Sequence, residues 1–293
     1  MPELFHKECL ICKSSVIHSM QRYKRHDLVK CSTCGFVFMR KIPTIEELEN
    51  YYLVFDYEME REIPEPTRLS LENRLDSFER YRKNNRMLDV GCGEGWLLEL
   101  AMKRGWQVCG TEFSPRAIEI CKKRGIKMYA GILKPETIEE KDFDVIISSE
   151  TIEHINNPRE EILNIHQLLR IRGLFCITTP NFNSYLRWIF KDKYDIIRYP
   201  GHLSYYTKKT LNRLLSESGF KKVKLQTTGI SFFHYQVSKR EDDKSFAINY
   251  KADEKLRNKI VKSNFLKLVK RIVNAGLSFS GLGMTVKAFY TKQ

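Results

Sequence analysis

The sequence has no long apolar run, no leader-like start and too few cysteines for a disulfide framework. No stretch of about 18 apolar residues occurs in the 293-residue chain, which excludes a membrane-spanning helix. The first residues, Met1-Pro2-Glu3-Leu4-Phe5-His6, lack the basic and then apolar order of a secretory signal. Eight cysteines in a chain of this length are typical of a reducing compartment, so we expect a cytoplasmic protein. Repeats and low-complexity tracts are also absent, and 42% hydrophobic with 29% charged residues is the composition of a folded globular protein.

The positive charge is concentrated in the last third of the chain. Residues 208–293 carry 19 Lys+Arg against 6 Asp+Glu, giving +13 of the net +14, whereas residues 41–207 carry 24 against 27, giving −3. A basic segment of this kind favours an anionic partner, namely nucleic acid, a membrane surface or a phosphorylated substrate. Solvated lysines in a Lys-, Ile- and Asn-rich chain explain the same charge without a partner.

Four cysteines near the N-terminus have metal-ligand spacing. Cys9 and Cys12 form one Cys-x-x-Cys pair, and Cys31 and Cys34 form a second pair followed by Gly35. Two such pairs supply the four thiolates of a closed tetrahedral site, which predicts structural zinc with no open position for chemistry. We therefore predict a zinc ribbon over residues 1–42.

The remaining chain divides into a connector and a larger domain. Residues 43–85 are an acidic, tyrosine-rich connector with a short helix at 44–52 and a lead-in helix at 68–83. From residue 86 onward, short apolar strands alternate with helical patterns, which predicts a parallel sheet covered by helices. The predicted strands are 86–91, 107–111, 127–130, 143–148, 174–179, about 222–228 and 284–290. The predicted helices are 94–104, 115–124, 158–169 and 207–217.

Two segments of the larger domain do not continue this alternation. Residues 181–206 read as a long aromatic and polar loop, and such loops are usually lids or disordered. We place a basic helical insertion at about 239–280, before the last strand, with an apolar stripe on a helix at 254–275.

The most informative run is Leu88-Asp89-Val90-Gly91-Cys92-Gly93-Glu94-Gly95-Trp96. A strand that runs into glycines and then a helix N-terminus lets the backbone approach an adenosine-type ligand closely. A dinucleotide site needs its third glycine where Trp96 stands, and the carboxylates of Asp89 and Glu94 would repel a pyrophosphate. Glu112 ends the second strand, where a carboxylate can accept hydrogen bonds from both ribose hydroxyls.

With these pieces the sequence resembles the class I S-adenosylmethionine-dependent methyltransferases, over roughly residues 70–292. The resemblance implies an α/β fold with a Rossmann-like seven-stranded sheet whose last strand is antiparallel, here joined to the small N-terminal zinc ribbon. It also implies the residues that bind S-adenosylmethionine. Gly91, Gly93 and Gly95 would line the methionine and ribose. Glu112 would hold the ribose, and Phe113 would pack on the adenine. Asp89 would organise the methionine end, and Ser149 and Glu150 would face the sulfonium. Gly131-Ile132-Leu133 departs from the family, because the acidic residue often found there is missing.

Two further runs are similar to methyltransferases of polysaccharide and deoxysugar pathways. They are the cysteine-rich leader with its connector, CGFVFMRKIPTIEELENYY, and Gly201–Thr207. The chain lacks the extra C-terminal domain of the sugar C-methyltransferases, which favours oxygen as the acceptor. We therefore expect methylation of a sugar, a nucleotide-sugar or a surface glycan.

A second constellation follows the fourth strand. Glu150, Glu153 and His154 would share one face if helical, and His202 from the long loop would complete an octahedral site for Mg²⁺ or another divalent ion. The pattern is similar to metal-dependent small-RNA 2′-O-methyltransferases and to ubiquinone-pathway O-methyltransferases. A bound ion would lower the pKa of an acceptor hydroxyl. In the alternative without metal, Glu153 and His154 brace the loop, and His154 is the general base.

Several alternatives stay open at this stage. The acceptor can be RNA ribose, given the basic C-terminal third, or a catechol or quinone precursor. Outside the enzymes, the chain can be a zinc-ribbon adaptor with a vestigial donor site. The basic helix can pack on the sheet or a partner chain, which we favour, or it can make peripheral contact with the inner membrane face. The pattern leaves the oligomeric state open.

Overall fold

The computed structural model describes residues 4–53, 62–230, 235, 256 and 258–293. The chain forms two compact units, each of them assembled from three segments. The sheet unit consists of Thr44–Thr178, Asn212–Lys224 and Ala288–Gln293, and the ribbon unit consists of Met1–Pro43, Thr179–Leu211 and Leu225–Lys287. The segments 1–42, 43–85 and 86–293 predicted above divide the chain by sequence position, and those boundaries stay a prediction.

The described residues include thirteen strands and eight complete α-helices. The strands are β1 Leu4–Phe5, β2 Ile17–Ser19, β3 Leu28–Cys31, β4 Val37–Met39, β5 Lys41–Ile42, β6 Arg86–Val90, β7 Gln107–Glu112, β8 Lys127–Ala130, β9 Phe143–Ser149, β10 Leu169–Pro180, β11 Ser204–Tyr205, β12 Phe220–Thr228 and β13 Thr285–Lys292. The helices are α1 Ile45–Leu53, α2 Glu65–Phe78, α3 Trp96–Lys103, α4 Pro115–Lys123, α5 Pro158–Leu168, α6 Tyr185–Phe190, α7 Lys208–Glu217 and α8 Asn264–Ser280.

A seven-stranded sheet carries the Rossmann-like fold. Its strand order is β12-β13-β10-β9-β6-β7-β8, and β8, β7, β6, β9 and β10 pair in parallel. The central strand β6 is buried from Met87 to Val90, as expected of a parallel strand covered by helices on both faces. The predicted fold class is confirmed, and the closing strand β13 lies between β10 and β12.

Local signals set the helix starts next to the central strands. Ser114 caps α4 by accepting a hydrogen bond from the Ala117 backbone N–H, and Pro115 occupies the first helical position. The helix predicted from Glu94 begins only at Trp96, because Gly93 and Gly95 have left-handed backbone conformations with φ of 53° and 71°.

The segment predicted as a long loop, 181–206, is largely ordered within the ribbon unit. It contains α6, a 3₁₀ turn at Lys191–Lys193 and β11, which pairs antiparallel with β4. The loop prediction is wrong because these elements are too short to show a period in the sequence. Ser184 caps α6, and tertiary burial stabilises the remainder.

The ribbon unit has its own apolar core. Strands β2, β3, β4 and β11 form a four-stranded sheet in the order β11-β4-β3-β2, and β1 pairs with β5. The core joins the cysteine-rich segment to residues 182–205 and to Met284. Its buried members are Tyr23, Leu28, Val37, Met39, Phe182, Leu186, Tyr194, Ile196, Ile197, Leu203, Tyr205 and Met284.

The C-terminal helix differs in extent from its prediction. α8 begins after the cap Ser263 and ends before the C-cap Gly281, so it begins later and ends later than the predicted 254–275. Residues 239–253 and the aromatic residues Phe232, Phe233 and His234 lie outside the described residues. In the part of the chain that the structure describes, no helix combines the length and the apolar character needed to cross a membrane.

Candidate functional site

The glycine loop lies at the carboxyl end of β6, in the sheet unit. Gly91 has a φ of 70°, and a Cβ there would come within 2.5 Å of the Thr151 Oγ1 atom. Gly93 has a φ of 53°, but a Cβ there would meet no atom within 4 Å. The chain's own packing therefore requires glycine at 91. At Gly93 the backbone borders open space, from which a ligand can approach it.

Glu112, at the end of β7, ties this loop to the next strand. Its carboxylate accepts hydrogen bonds from the backbone N–H groups of Gly93 at 2.9 Å, Phe113 at 2.8 Å and Ser114 at 3.0 Å. A carboxylate has about four acceptor sites, so these three bonds leave about one. To accept both ribose hydroxyls, Glu112 has to exchange one backbone donor for the ligand.

Asp89, the second buried carboxyl group, lies on β6 beneath the loop. Its Oδ1 atom is buried and has no hydrogen-bond partner among the described residues. Burial raises the pKa of Asp89 to about 7; the nearby Arg74 guanidinium opposes this rise, and the Glu112 carboxylate adds to it. A cationic group near Asp89 would complete its electrostatic environment.

Two residues near the loop were not singled out in the sequence. Arg74, on α2, donates from Nη1 to the Ser149 Oγ atom at 2.9 Å. Thr151 donates to the Val90 carbonyl at 3.1 Å and covers Gly91. Arg74 is 75 positions from its partner along the chain, and a lone arginine on a surface helix carries no sequence signal for such a role.

The other predicted donor-site residues lie at the same edge of the sheet. Phe113 follows β7 and is 40% exposed, and an aromatic ring is a side chain on which a flat ligand can stack. Ser149 ends β9 and is half-buried. Glu150 is exposed, has a left-handed φ of 52°, and its backbone N–H donates to the Thr178 carbonyl at 2.9 Å.

The side chains of this site suit a cationic nucleoside as their ligand. Two buried carboxyl groups, one without a hydrogen-bond partner on Oδ1, lie beside an open glycine backbone and an exposed ring. S-adenosylmethionine has a sulfonium, an ammonium, a ribose diol and an adenine. Carboxylates complement the first three, whereas they would repel a pyrophosphate.

Glu153 and His154 follow β9 in the sheet unit. Only Ile152–His154 forms a turn, a 3₁₀ turn, so the helical face assumed for Glu150 together with Glu153 and His154 is wrong. Glu153 is buried, and the His154 Nε2 atom lies 3.9 Å from Glu153 Oε1. This pairing places a titratable imidazole against a buried carboxylate.

His202 lies in the ribbon unit, before β11. Its Nδ1 atom is 2.7 Å from the Ile196 carbonyl oxygen, and the Tyr205 hydroxyl donates to the His202 carbonyl at 2.8 Å. A carbonyl only accepts, so Nδ1 carries the proton and a neutral ring keeps its lone pair on Nε2. The four-residue metal site of Glu150, Glu153, His154 and His202 stays a prediction.

The N-terminal cysteines form a compact cluster in the ribbon unit. The Sγ atoms are 3.5 Å apart for Cys9–Cys34 and 3.6 Å apart for Cys12–Cys31. All four Sγ atoms lie within 4.8 Å of one another. A tetrahedron with zinc–sulfur bonds of about 2.3 Å has edges of about 3.8 Å, so the four thiols fit zinc.

The four remaining cysteines lie in the sheet unit. Cys109, Cys121 and Cys176 are buried, and Cys92 is half-buried with its Sγ atom 4.0 Å from that of Cys121. Cys121 and Cys176 belong to the apolar core of this unit, and Cys92 packs against it.

Comparison with known proteins identifies the class. Residues 57–225 match the family model described as a methyltransferase domain. A crystal structure of an S-adenosylmethionine-dependent methyltransferase from Archaeoglobus fulgidus has the same fold, with a TM-score of 0.51 and 20% identity over 77% of this chain and 94% of that chain. The chain therefore belongs to the methyltransferase-domain family, and it is an S-adenosylmethionine-dependent methyltransferase of class I.

Two curated relatives are more similar in sequence. The chain is 34% identical over 113 residues to the ubiquinone biosynthesis O-methyltransferase of Pelagibacter ubique. This alignment covers 37% of this chain and 47% of that protein. The chain is 31% identical over 183 residues to the enzyme of the same name from Coxiella burnetii (strain RSA 331 / Henzerling II), which covers 58% of this chain and 76% of that protein. The match thus spans about half of the first relative and three quarters of the second.

Proposed function

We propose that the chain transfers the methyl group of S-adenosylmethionine to a hydroxyl oxygen, and that the site around Gly93, Asp89 and Glu112 binds the methyl donor. The observation that carries this proposal is the pair of buried carboxyl groups beside the open backbone at Gly93. Glu112 holds the ribose, Phe113 covers the adenine, and Asp89 lies toward the cationic methionine end. To Arg74, which donates to Ser149, we assign the methionine carboxylate.

The donor supplies an electrophilic methyl group on a sulfonium. The chain contributes proximity and orientation, because methyl transfer is an in-line displacement that needs the acceptor oxygen fixed opposite the sulfur. His154 removes the hydroxyl proton at its ring nitrogen, and Glu153 stabilises the imidazolium that forms. If Glu150, Glu153, His154 and His202 held a divalent ion, the ion would lower the pKa of the acceptor hydroxyl.

For the acceptor we favour a sugar, nucleotide-sugar or surface glycan, on the resemblance of the cysteine-rich leader and of Gly201–Thr207 to enzymes of such pathways. A second candidate is a catechol or quinone precursor, and the names of the two curated relatives favour it. Both are hydroxyl acceptors that the same displacement methylates.

Zinc completes the proposal. We place it in the Cys9, Cys12, Cys31 and Cys34 cluster as a structural ion, because all four thiolates are used as ligands and none is left for substrate. Its role is to tie the Cys9–Cys12 turn to the Cys31–Cys34 turn, which connects β3 to β4.

The experiment follows a labelled methyl group. Purified protein and S-adenosylmethionine labelled on the methyl group are added to an extract of the source cells, with and without a chelator, and label is counted in carbohydrate, lipid-soluble phenolic, RNase-sensitive and protein fractions. We expect label in the carbohydrate fraction. Label in the phenolic fraction would favour the catechol candidate, and label released by RNase would contradict both. Loss of label with chelator, restored by Mg²⁺, would support the second metal site.

A further inference from the structure

Helix α8 presents an apolar face to solvent. Phe265 is 71% exposed, Ile272 is 64% exposed and Phe279 is 96% exposed, and no residue of the helix is buried. At about 100° per residue, Phe265, Leu268, Ile272 and Phe279 fall within about 60° of one another. Such a stripe on a helix of a folded domain marks an interaction surface.

The opposite face of α8 is attached to the ribbon unit. Asn274 accepts a hydrogen bond from the Gly229 backbone N–H at 3.0 Å, and the Leu277 carbonyl accepts from the Thr227 hydroxyl at 2.6 Å. The Ser278 carbonyl accepts from Lys208 at 2.9 Å. Ile272 and Asn274 are two residues apart, so their side chains diverge by about 160°. These contacts therefore fix the helix with its apolar stripe facing outward.

The charge of the helix selects the occupant. Lys267, Lys270 and Arg271 are the only charged residues of α8, and residues 256–293 contain eight Lys+Arg and no Asp or Glu. A second copy of the same helix would offer these cations no acidic partner. RNA would pair with the cations but would leave the apolar stripe in water. An anionic lipid surface complements both features, because acyl chains take up the apolar stripe and headgroups neutralise the cations.

We propose that α8 docks this methyltransferase on an anionic membrane surface, with the helix lying in the plane of the interface. Phe265, Leu268 and Ile272 insert below the headgroups, Arg271 at the edge of the stripe lies at headgroup level, and Lys267 lies on the polar face of the helix. The sequence pattern favoured packing of this helix on the protein, but the exposed stripe favours the membrane. The role is independent of the acceptor and of the donor site.

The test is flotation of the full-length protein with vesicles of phosphatidylcholine alone or mixed with phosphatidylglycerol, at low and physiological salt. We expect binding to the mixed vesicles that weakens with salt, and at least about a tenfold loss of binding in Phe265→Glu/Ile272→Glu. Lys267→Glu/Arg271→Glu should also lose binding. The matched control is Ile45→Glu, since Ile45 is 74% exposed on a different helix and should be neutral.

Three results would overturn the proposal. They are no binding of the wild type to mixed vesicles at low salt, binding that the Phe265→Glu/Ile272→Glu variant retains, and concentration-dependent dimerisation that this variant abolishes. The third result would assign the stripe to a second copy of the chain. Calorimetric binding of S-adenosylhomocysteine by each variant confirms that the protein is folded.

Discussion

Replacing Glu112 is expected to abolish binding of S-adenosylhomocysteine. The carboxylate is the proposed acceptor for the ribose hydroxyls, and it also holds the Gly93 backbone N–H, so Glu112→Ala removes ligand contacts and loosens the loop. Two hydrogen bonds to a charged acceptor contribute roughly 3 kcal/mol or more, which corresponds to an affinity at least about 100-fold lower. The measurement is isothermal titration calorimetry of the full-length variant with S-adenosylhomocysteine.

Two further variants test whether the loss of affinity in Glu112→Ala comes from the lost ribose contacts. Glu112→Gln keeps the side-chain volume and one acceptor oxygen, so it should fold like the wild type and still bind weakly. Glu119→Gln removes an exposed carboxylate on α4 that pairs only locally with Lys123, and its affinity should stay within about twofold of the wild type. If Glu112→Gln binds as tightly as the wild type, the ribose site lies elsewhere.

Removing zinc is expected to unfold the ribbon unit. Cys31 and Cys34 form the turn that leads from β3 into β4, where Phe36, Val37, Phe38 and Met39 are all buried. β4 also pairs with β11, the strand that follows His202. Structural zinc in small cysteine sites contributes on the order of 10 kcal/mol to folding, which is comparable to the whole stability of a typical domain. Cys34→Ser should therefore lose the metal and the packing of residues 196–206.

Metal content and hydrogen exchange test the zinc prediction together. We expect one zinc per wild-type chain by atomic emission, none in Cys34→Ser, and faster amide exchange of residues 28–39 and 196–206 in the variant. Cys109→Ala removes a buried thiol outside the cluster and should retain the metal. Unchanged exchange in a zinc-free Cys34→Ser protein would contradict a structural role.

The parallel sheet could be predicted because its signals are local. The alternation of apolar strands and helices from residue 86 to residue 180 is carried by neighbouring residues, and β7 ends one residue beyond its predicted end at Thr111. The glycine loop and Glu112 could be predicted from neighbouring residues in the same way, because the end of a strand determines where its last side chain lies.

The features that could not be predicted from the sequence depend on packing between residues far apart in the chain. Segment 181–206 has no period of its own, and its order comes from burial against Leu28, Val37 and Met39, which lie far away in the sequence. Arg74 acquires its place near Asp89 only when α2 lies beside the strand ends. The sequence pattern predicts an apolar stripe on this helix, but it does not determine which of the apolar residues face outward.

The most direct test of the donor site compares Gly93→Ala with Gly125→Ala. Both glycines have left-handed φ values, 53° and 78°, and at both positions a Cβ would meet no protein atom within 4 Å. Each alanine therefore costs about 1–2 kcal/mol of backbone strain, and only Gly93 borders the proposed ligand. In calorimetry with S-adenosylhomocysteine, we predict at least about a tenfold loss of affinity for Gly93→Ala and almost none for Gly125→Ala. Equal affinities for the two variants would contradict the account and place the methyl donor elsewhere.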